Sequence, residues 1–100
     1  MDGGYIYIMT NKYKTTLYIG VTNNLKRRVW EHRTHYDTSS FTAKYNLEYC
    51  VYYEYFEKIG DAISREKELK KWRREKKNAL IASNNPAWRD YWEEIQDWIY

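Results

Sequence analysis

Short, almost wholly apolar runs alternate with longer amphipathic ones along this chain, the pattern of a small sheet with helices around it. Gly4 to Thr10 carries Tyr5-Ile6-Tyr7-Ile8-Met9, nearly continuous in β-formers and suited to a strand buried in places on both faces. Asn11 to Thr15 is polar enough for a hairpin loop, and Thr16 to Ile19 returns as a second strand. Gly20 closes that strand, and Val21-Thr22-Asn23-Asn24 leads into a helix capped by Asn23 or Asn24. Within the helix Leu25 and Val29 mark the core side. Arg28 and His32, also one turn apart, share a neighbouring face, while Arg27 and Glu31 point roughly the other way. His35 to Leu47 reads as a loop anchored by Phe41 and Tyr45, its polar members, Lys44 among them, serving either a ligand or an ordinary surface. Glu48 to Phe56 is the strongest strand and the third of one small antiparallel sheet.

Lys58 to Asp61 reads as a turn, with Asp61 capping a long helix from Ala62 to about Ala82. At about 100° per residue, Ala62, Ile63, Glu66 and Leu69 share one stripe, so Glu66 faces the sheet. A carboxylate in that position costs several kcal/mol unless it is paired or bound to a cation. Glu66 therefore pairs with Arg28, hydrogen-bonds to a tyrosine or holds a metal. Asn84-Asn85-Pro86 breaks the helix and starts another, with Asn85 as cap and Pro86 in the first position. Trp88, Trp92, Ile95 and Ile99 recur there at helical spacing. The chain thus divides into residues 1–82, a core, and residues 83–100, a docking helix of the same domain. A weak homodimer contact, or a contact with another protein, is the other use of that stripe.

One hundred residues make a single domain. The 12 Tyr and 5 Trp pack their bodies and leave polar tips, which suits a sheet bordering a wet cleft or a packing interface. Net charge is only +3, but Arg65 to Lys77 sets eight Lys or Arg against three Glu, a local excess that admits a polyanion partner. Cys50 is the only cysteine, so no disulfide framework forms within one chain and a reducing, cytoplasmic setting is expected. In the third strand it reads as an inert core thiol rather than a nucleophile. No run of apolar residues is long enough to span a membrane, and no secretory leader is apparent.

The groups with chemical use are Tyr7 and Tyr18 on adjacent strands, Arg28 and His32 on the first helix, and Glu66 on the long one. Phosphodiester hydrolysis needs a group to activate water, positive charge for the developing phosphorane and stabilisation of the departing oxygen. One carboxylate can hold Mg²⁺ largely through waters, and a phenol beside positive charge comes nearer to ionising.

At these positions the sequence resembles the GIY-YIG nuclease family, especially small stand-alone bacterial members related to the N-terminal incision domain of the excision-repair endonuclease. Tyr5-Ile6-Tyr7 corresponds to the first motif, with Tyr5 in place of glycine, and Tyr18-Ile19-Gly20 matches the second unchanged. Thr42-Ala43-Lys44-Tyr45 and Asn85 to Asp90 are similar to the stand-alone group as well. The resemblance implies an α+β fold, a three-stranded antiparallel sheet flanked by helices, that cleaves DNA with one divalent metal, Mg²⁺ or Mn²⁺. It implies that Glu66 is the metal ligand, that Tyr7 acts as base with Tyr18 in support, and that Arg28 steadies the phosphate charge. His32 would hold the phosphate or the tyrosine–water pair. Lys44, Lys70, Lys71 and Arg74 are the expected contacts to the DNA backbone. Larger relatives use a further asparagine after the glutamate helix and carry separate DNA-binding domains; this chain places neither clearly.

Overall fold

The computed structural model describes residues 3–99, so the outermost residues of the two expected segments, 1, 2 and 100, lie outside it. Its fold is α+β: strands β1 (Gly4–Thr10), β2 (Leu17–Thr22) and β3 (Tyr49–Phe56) form one antiparallel sheet in the order β2-β1-β3. Because β1 is central, both of its faces are covered, which is why its sequence scarcely alternates. Ile6 and Ile8 meet Ile19, Val51 and Tyr52 under helices α3 (Ile59–Lys70) and α4 (Arg74–Asn84), which supply Ala62, Leu69 and Ile81. On the opposite face Tyr7 and Met9 pack with Cys50, Leu47, Leu25 and Val29 of α1 (Leu25–Arg33), and Ile95 of α5 (Trp92–Ile95). A bulge opposite Ile8 and Met9 leaves Val51 unpaired and sends it, with Tyr52, to the first face, while Cys50 turns to the second. Burial pushes the Cys50 thiol up to about 12, so it is an unreactive core group.

Several boundaries differ from the sequence expectation. β2 does not end at Gly20 but continues to Thr22, paired along its length with β1. Asn24 is the α1 cap, accepting the Arg27 amide at 3.1 Å. The loop after α1 contains a single helical turn, α2 (Phe41–Lys44), capped by Ser40. α3 begins at Ile59, so Asp61 lies in its first turn rather than at its cap, where a carboxylate still suits the positive end of the helix.

The long helix is two helices. In one straight rod Leu69 and Ile81 would project about 120° apart and about 18 Å along the axis. The break at Lys71-Trp72-Arg73 lets both reach the same buried core, with Trp72 packed against it and Arg65 and Lys76 over its ring.

No helix starts at Pro86. Asn85 instead ends α4, buried, with its side-chain NH₂ donating to the carbonyls of Val51 (3.1 Å) and Arg89 (2.8 Å) and its oxygen accepting from the Arg89 amide (2.9 Å). The expected stripe is accordingly divided: Trp88 joins the first core, Trp92 and Ile95 the second, and Ile99 is exposed. The segment crosses the end of the sheet, so one helical face cannot serve it.

Asp90 receives the Cys50 amide at 3.1 Å, and Tyr91 donates to the Cys50 carbonyl at 2.8 Å. This strap also grips α1 near both ends, through Lys26 Nζ to the Trp98 carbonyl and Arg33 to Asp90, each at 2.5 Å.

Replacing Asn85 with alanine should cost about 1–3 kcal/mol, since it leaves buried backbone groups without partners. Urea unfolding of Asn85→Ala measures this; a change within a few tenths of a kcal/mol would show that the loop holds without it.

Candidate active site

Tyr7 and Tyr18 come from neighbouring strands and project to the face covered by α1. The Tyr7 ring crosses directly over Gly20. A Cβ at that residue would lie 2.5 Å from both Cζ and Oη of Tyr7 and 2.9 Å from Tyr18. Glycine is therefore needed there for space, not for an unusual backbone angle. His32, one turn beyond Arg28 and only 4 % exposed, places Nε2 at 2.9 Å from the Tyr7 hydroxyl. Its Nδ1 is 2.8 Å from the buried Thr42 hydroxyl, which in turn is 3.2 Å from Ser40 Oγ. Both Tyr7 and Tyr18 pack their rings against the imidazole.

The charges around this cluster are ordered. Burial, then the neighbouring Tyr18, raises the Tyr7 pKa above its ordinary value, while the adjacent Arg28 guanidinium opposes that rise. Burial works against the charge on Arg28 itself, but Glu31 and the two phenols outweigh it and hold its pKa high. Glu31, which the helical wheel turned away from the cleft, bonds Arg28 at 2.9 Å and Arg27 at 3.2 Å. Its own burial disfavours the carboxylate, but Arg28 and then Arg27 bring its pKa below the ordinary range. His32 is lowered to about 4, first by burial and then by Arg28, so the imidazole is neutral at physiological pH.

Glu66 lies elsewhere. It sits on α3, against the other face of the sheet, and its ion-pair partner is Lys70 at 3.1 Å, not Arg28. Lys70 shares a depression with Leu17, Tyr18, Ile19, Phe41 and Lys77, so this α3 lysine approaches Tyr18 around the β2 edge. Among the described residues no group of three His, Cys, Asp or Glu side chains could cage a metal. A mostly shielded carboxylate that already attracts a cation fits an ion such as Mg²⁺, which takes few protein oxygens and keeps waters and substrate oxygens. The remaining basic residues are spread out. Lys44 and Lys71 are exposed, with Lys44 over the Tyr45 ring, whereas Arg74 donates to the carbonyls of Lys14 and Thr15 and so tethers the β1–β2 turn.

Tyr7, Tyr18, Arg28 and His32 lie together in the structure, whereas the sequence marks out no role for Thr42, Ser40 or Glu31. The only available signal for the first two was a buried-type hydroxyl one position after a helix start, Ser40-Phe41-Thr42.

The site thus sets two strand tyrosines against an arginine–histidine helix on a three-stranded antiparallel sheet flanked by helices. Residues 3–79 match the GIY-YIG catalytic domain, and the chain belongs to that nuclease family. It is 36 % identical to a UPF0213 protein of Clostridium perfringens over 91 % of this chain and 96 % of that one. A UPF0213 protein of Haloquadratum walsbyi is 35 % identical over 79 % of this chain and 86 % of its own. The solution NMR structure of the UPF0213 protein from Bacillus halodurans has the same fold, with a TM-score of 0.57 at 23 % identity, covering 92 % of this chain and 96 % of that one.

Two measurements check the geometry. Gly20→Ala should cost about 1–3 kcal/mol by overpacking and should displace the Tyr7 ring from His32, seen as a shift of the imidazole resonances. The His32 ring should titrate near 4 by NMR, against 6.5 for an unperturbed histidine. Because the unfolded chain then binds the proton more readily, His32 contributes stability that is complete above about 6.5 and is lost as pH falls towards 4. A ring titrating near 6.5 would contradict its buried, neutral placement.

Proposed function

We propose that this protein is an endonuclease that hydrolyses DNA phosphodiester bonds with Mg²⁺ or Mn²⁺. The observation that carries the reading is the hydrogen bond of 2.9 Å between the Tyr7 hydroxyl and His32 Nε2, set beside Arg28 and over Gly20. A phenol is a poor base by itself, and burial makes this one poorer. It becomes useful when its own proton has somewhere to go and a guanidinium stabilises the oxygen left behind. His32 offers the first and Arg28 the second. Arg28, partly exposed, also receives the scissile phosphate and opposes its developing charge. Tyr18 borders the same cleft and orients the water. Bound at Glu66, the divalent ion supplies Lewis-acid stabilisation of the phosphate oxygens. Lys44, Lys70 and Lys71 hold the DNA backbone without reading bases. Arg74 adds to that charge from its place at the turn.

A second reading, a DNA-binding module of the same fold with little or no turnover, draws on the burial of Tyr7, which is 1 % exposed. The two differ in one experiment. Labelled duplex, branched and single-stranded DNA are incubated with the protein, with and without Mg²⁺ or Mn²⁺. Metal-dependent cleavage by the parent, reduced roughly 10²-fold or more in Glu66→Gln with DNA affinity kept, supports the endonuclease. Salt-sensitive binding with no product under either metal supports the module.

A further inference from the structure

Tyr7 is almost wholly buried, so in the free protein its hydroxyl bonds within the protein rather than to bulk water. Arg28 carries donors only. Among the described residues the hydroxyl has one hydrogen-bonding partner with an acceptor to offer, His32 Nε2. Tyr7 therefore donates, Nε2 carries no proton, and the neutral imidazole is the Nδ1–H tautomer. That N–H donates to Thr42 Oγ1 at 2.8 Å, leaving the Thr42 proton to point to Ser40 Oγ at 3.2 Å. Ser40 Oγ also accepts the Ala43 amide as the cap of α2, so its own hydrogen points away from both. Ser40, His32 and Arg28 line a small cavity with Glu31, Tyr36 and Asp37, beside exposed loop residues. The four hydroxyl and imidazole groups thus form a chain with one polarity, running from the Tyr7 hydroxyl to the small cavity that Ser40 lines.

We infer that Tyr7, His32, Thr42 and Ser40 form a proton relay that carries the proton of the attacking water from the Tyr7 hydroxyl to the small cavity at Ser40. The inference rests on the reading of Tyr7 as acceptor of that proton. In the step, a water O–H bond breaks as its oxygen bonds to phosphorus, and the released proton binds Tyr7 Oη. The Tyr7 proton passes to Nε2, the Nδ1 proton to Thr42, the Thr42 proton to Ser40, and the Ser40 proton to water in the cavity. Each side chain ends with as many protons as it began, and the departing alkoxide takes one from solvent. No imidazolium needs to accumulate, which suits a ring whose charged form is disfavoured by burial and by Arg28. Thr42 and Ser40 touch neither phosphate nor attacking water; they are positioning and relay residues.

The test has two parts. In the free protein, without metal or DNA, nitrogen-15 NMR of the His32 ring should show the Nδ1–H tautomer. An Nε2–H ring reverses the polarity and overturns the relay whatever the cleavage assay gives. In the cleavage assay, Thr42→Val should lose about 10²-fold, the lower end of the range for proton-transfer catalysis, with DNA affinity unchanged. Thr42→Ser should stay within about threefold of the parent, because it restores the hydroxyl. Ser40→Gly breaks only the outer link and, as glycine costs a helix cap only a few tenths of a kcal/mol, remains folded if Thr42→Val does not. It should show the same direction of loss. The parent should give a curved proton inventory in mixed light and heavy water and the variants a straighter one. A parent that cleaves, with Thr42→Val and Ser40→Gly at the parental rate, overturns the relay alone. A parent that cleaves nothing overturns the endonuclease reading and the relay's function with it.

Discussion

The site depends on the burial of one phenol. Tyr7 stands on the central strand, where its ring can leave the sheet only by crossing the neighbouring strand, and it crosses at Gly20. Any side chain at that point would occupy the volume of the ring. Once the ring is laid there, its hydroxyl is largely withdrawn from bulk water and takes a partner supplied by the fold. α1 supplies it, because the Leu25 and Val29 stripe that seats the helix also turns His32 inward. Core packing and site geometry are thus set by the same two apolar residues, Leu25 and Val29.

The sheet also divides the chemistry. One face holds the phenols, imidazole and the Arg28–Glu31 pair, and the other holds α3 with Glu66 and Lys70. The two sets approach each other around the β2 edge, where Tyr18 and Lys70 border one depression. Opposite charges are thereby kept from collapsing onto each other in the free protein. Arg28 is satisfied by Glu31 on its own helix, and Glu66 by Lys70 on its own. Each pair is local and partly solvated, hence inexpensive to open when a phosphate arrives.

How much of this could be read from the sequence follows from the range of the interactions involved. The three strands, the α1 cap at Asn24 and the shared face of Arg28 and His32 are local, and residue spacing determines them. The division of the long helix was not legible, because Lys71-Trp72-Arg73 contains no glycine or proline; what breaks it is the requirement that Leu69 and Ile81 enter one core. Asn85-Pro86 has the spelling of a helix start, yet Asn85 is drawn into hydrogen bonds with the distant Val51. Thr42 is a similar case. Its partner lies ten residues away across a turn whose shape no periodicity reveals. Glu66 was read correctly as turned inward, but its neighbour is the lysine one turn on, a pairing equally available from spacing alone.

The strap formed by residues 90–98 adds Ile95 to the core that holds Tyr7, and it fixes α1 near its first turn through Lys26 and at its last through Arg33, with Trp92 against the Arg33 guanidinium. A helix held at both ends can neither slide along its axis nor roll on the sheet. Either movement would carry His32 away from Tyr7. The C-terminal segment therefore acts as a mechanical register for the cleft: its attachment sets how still the imidazole is held.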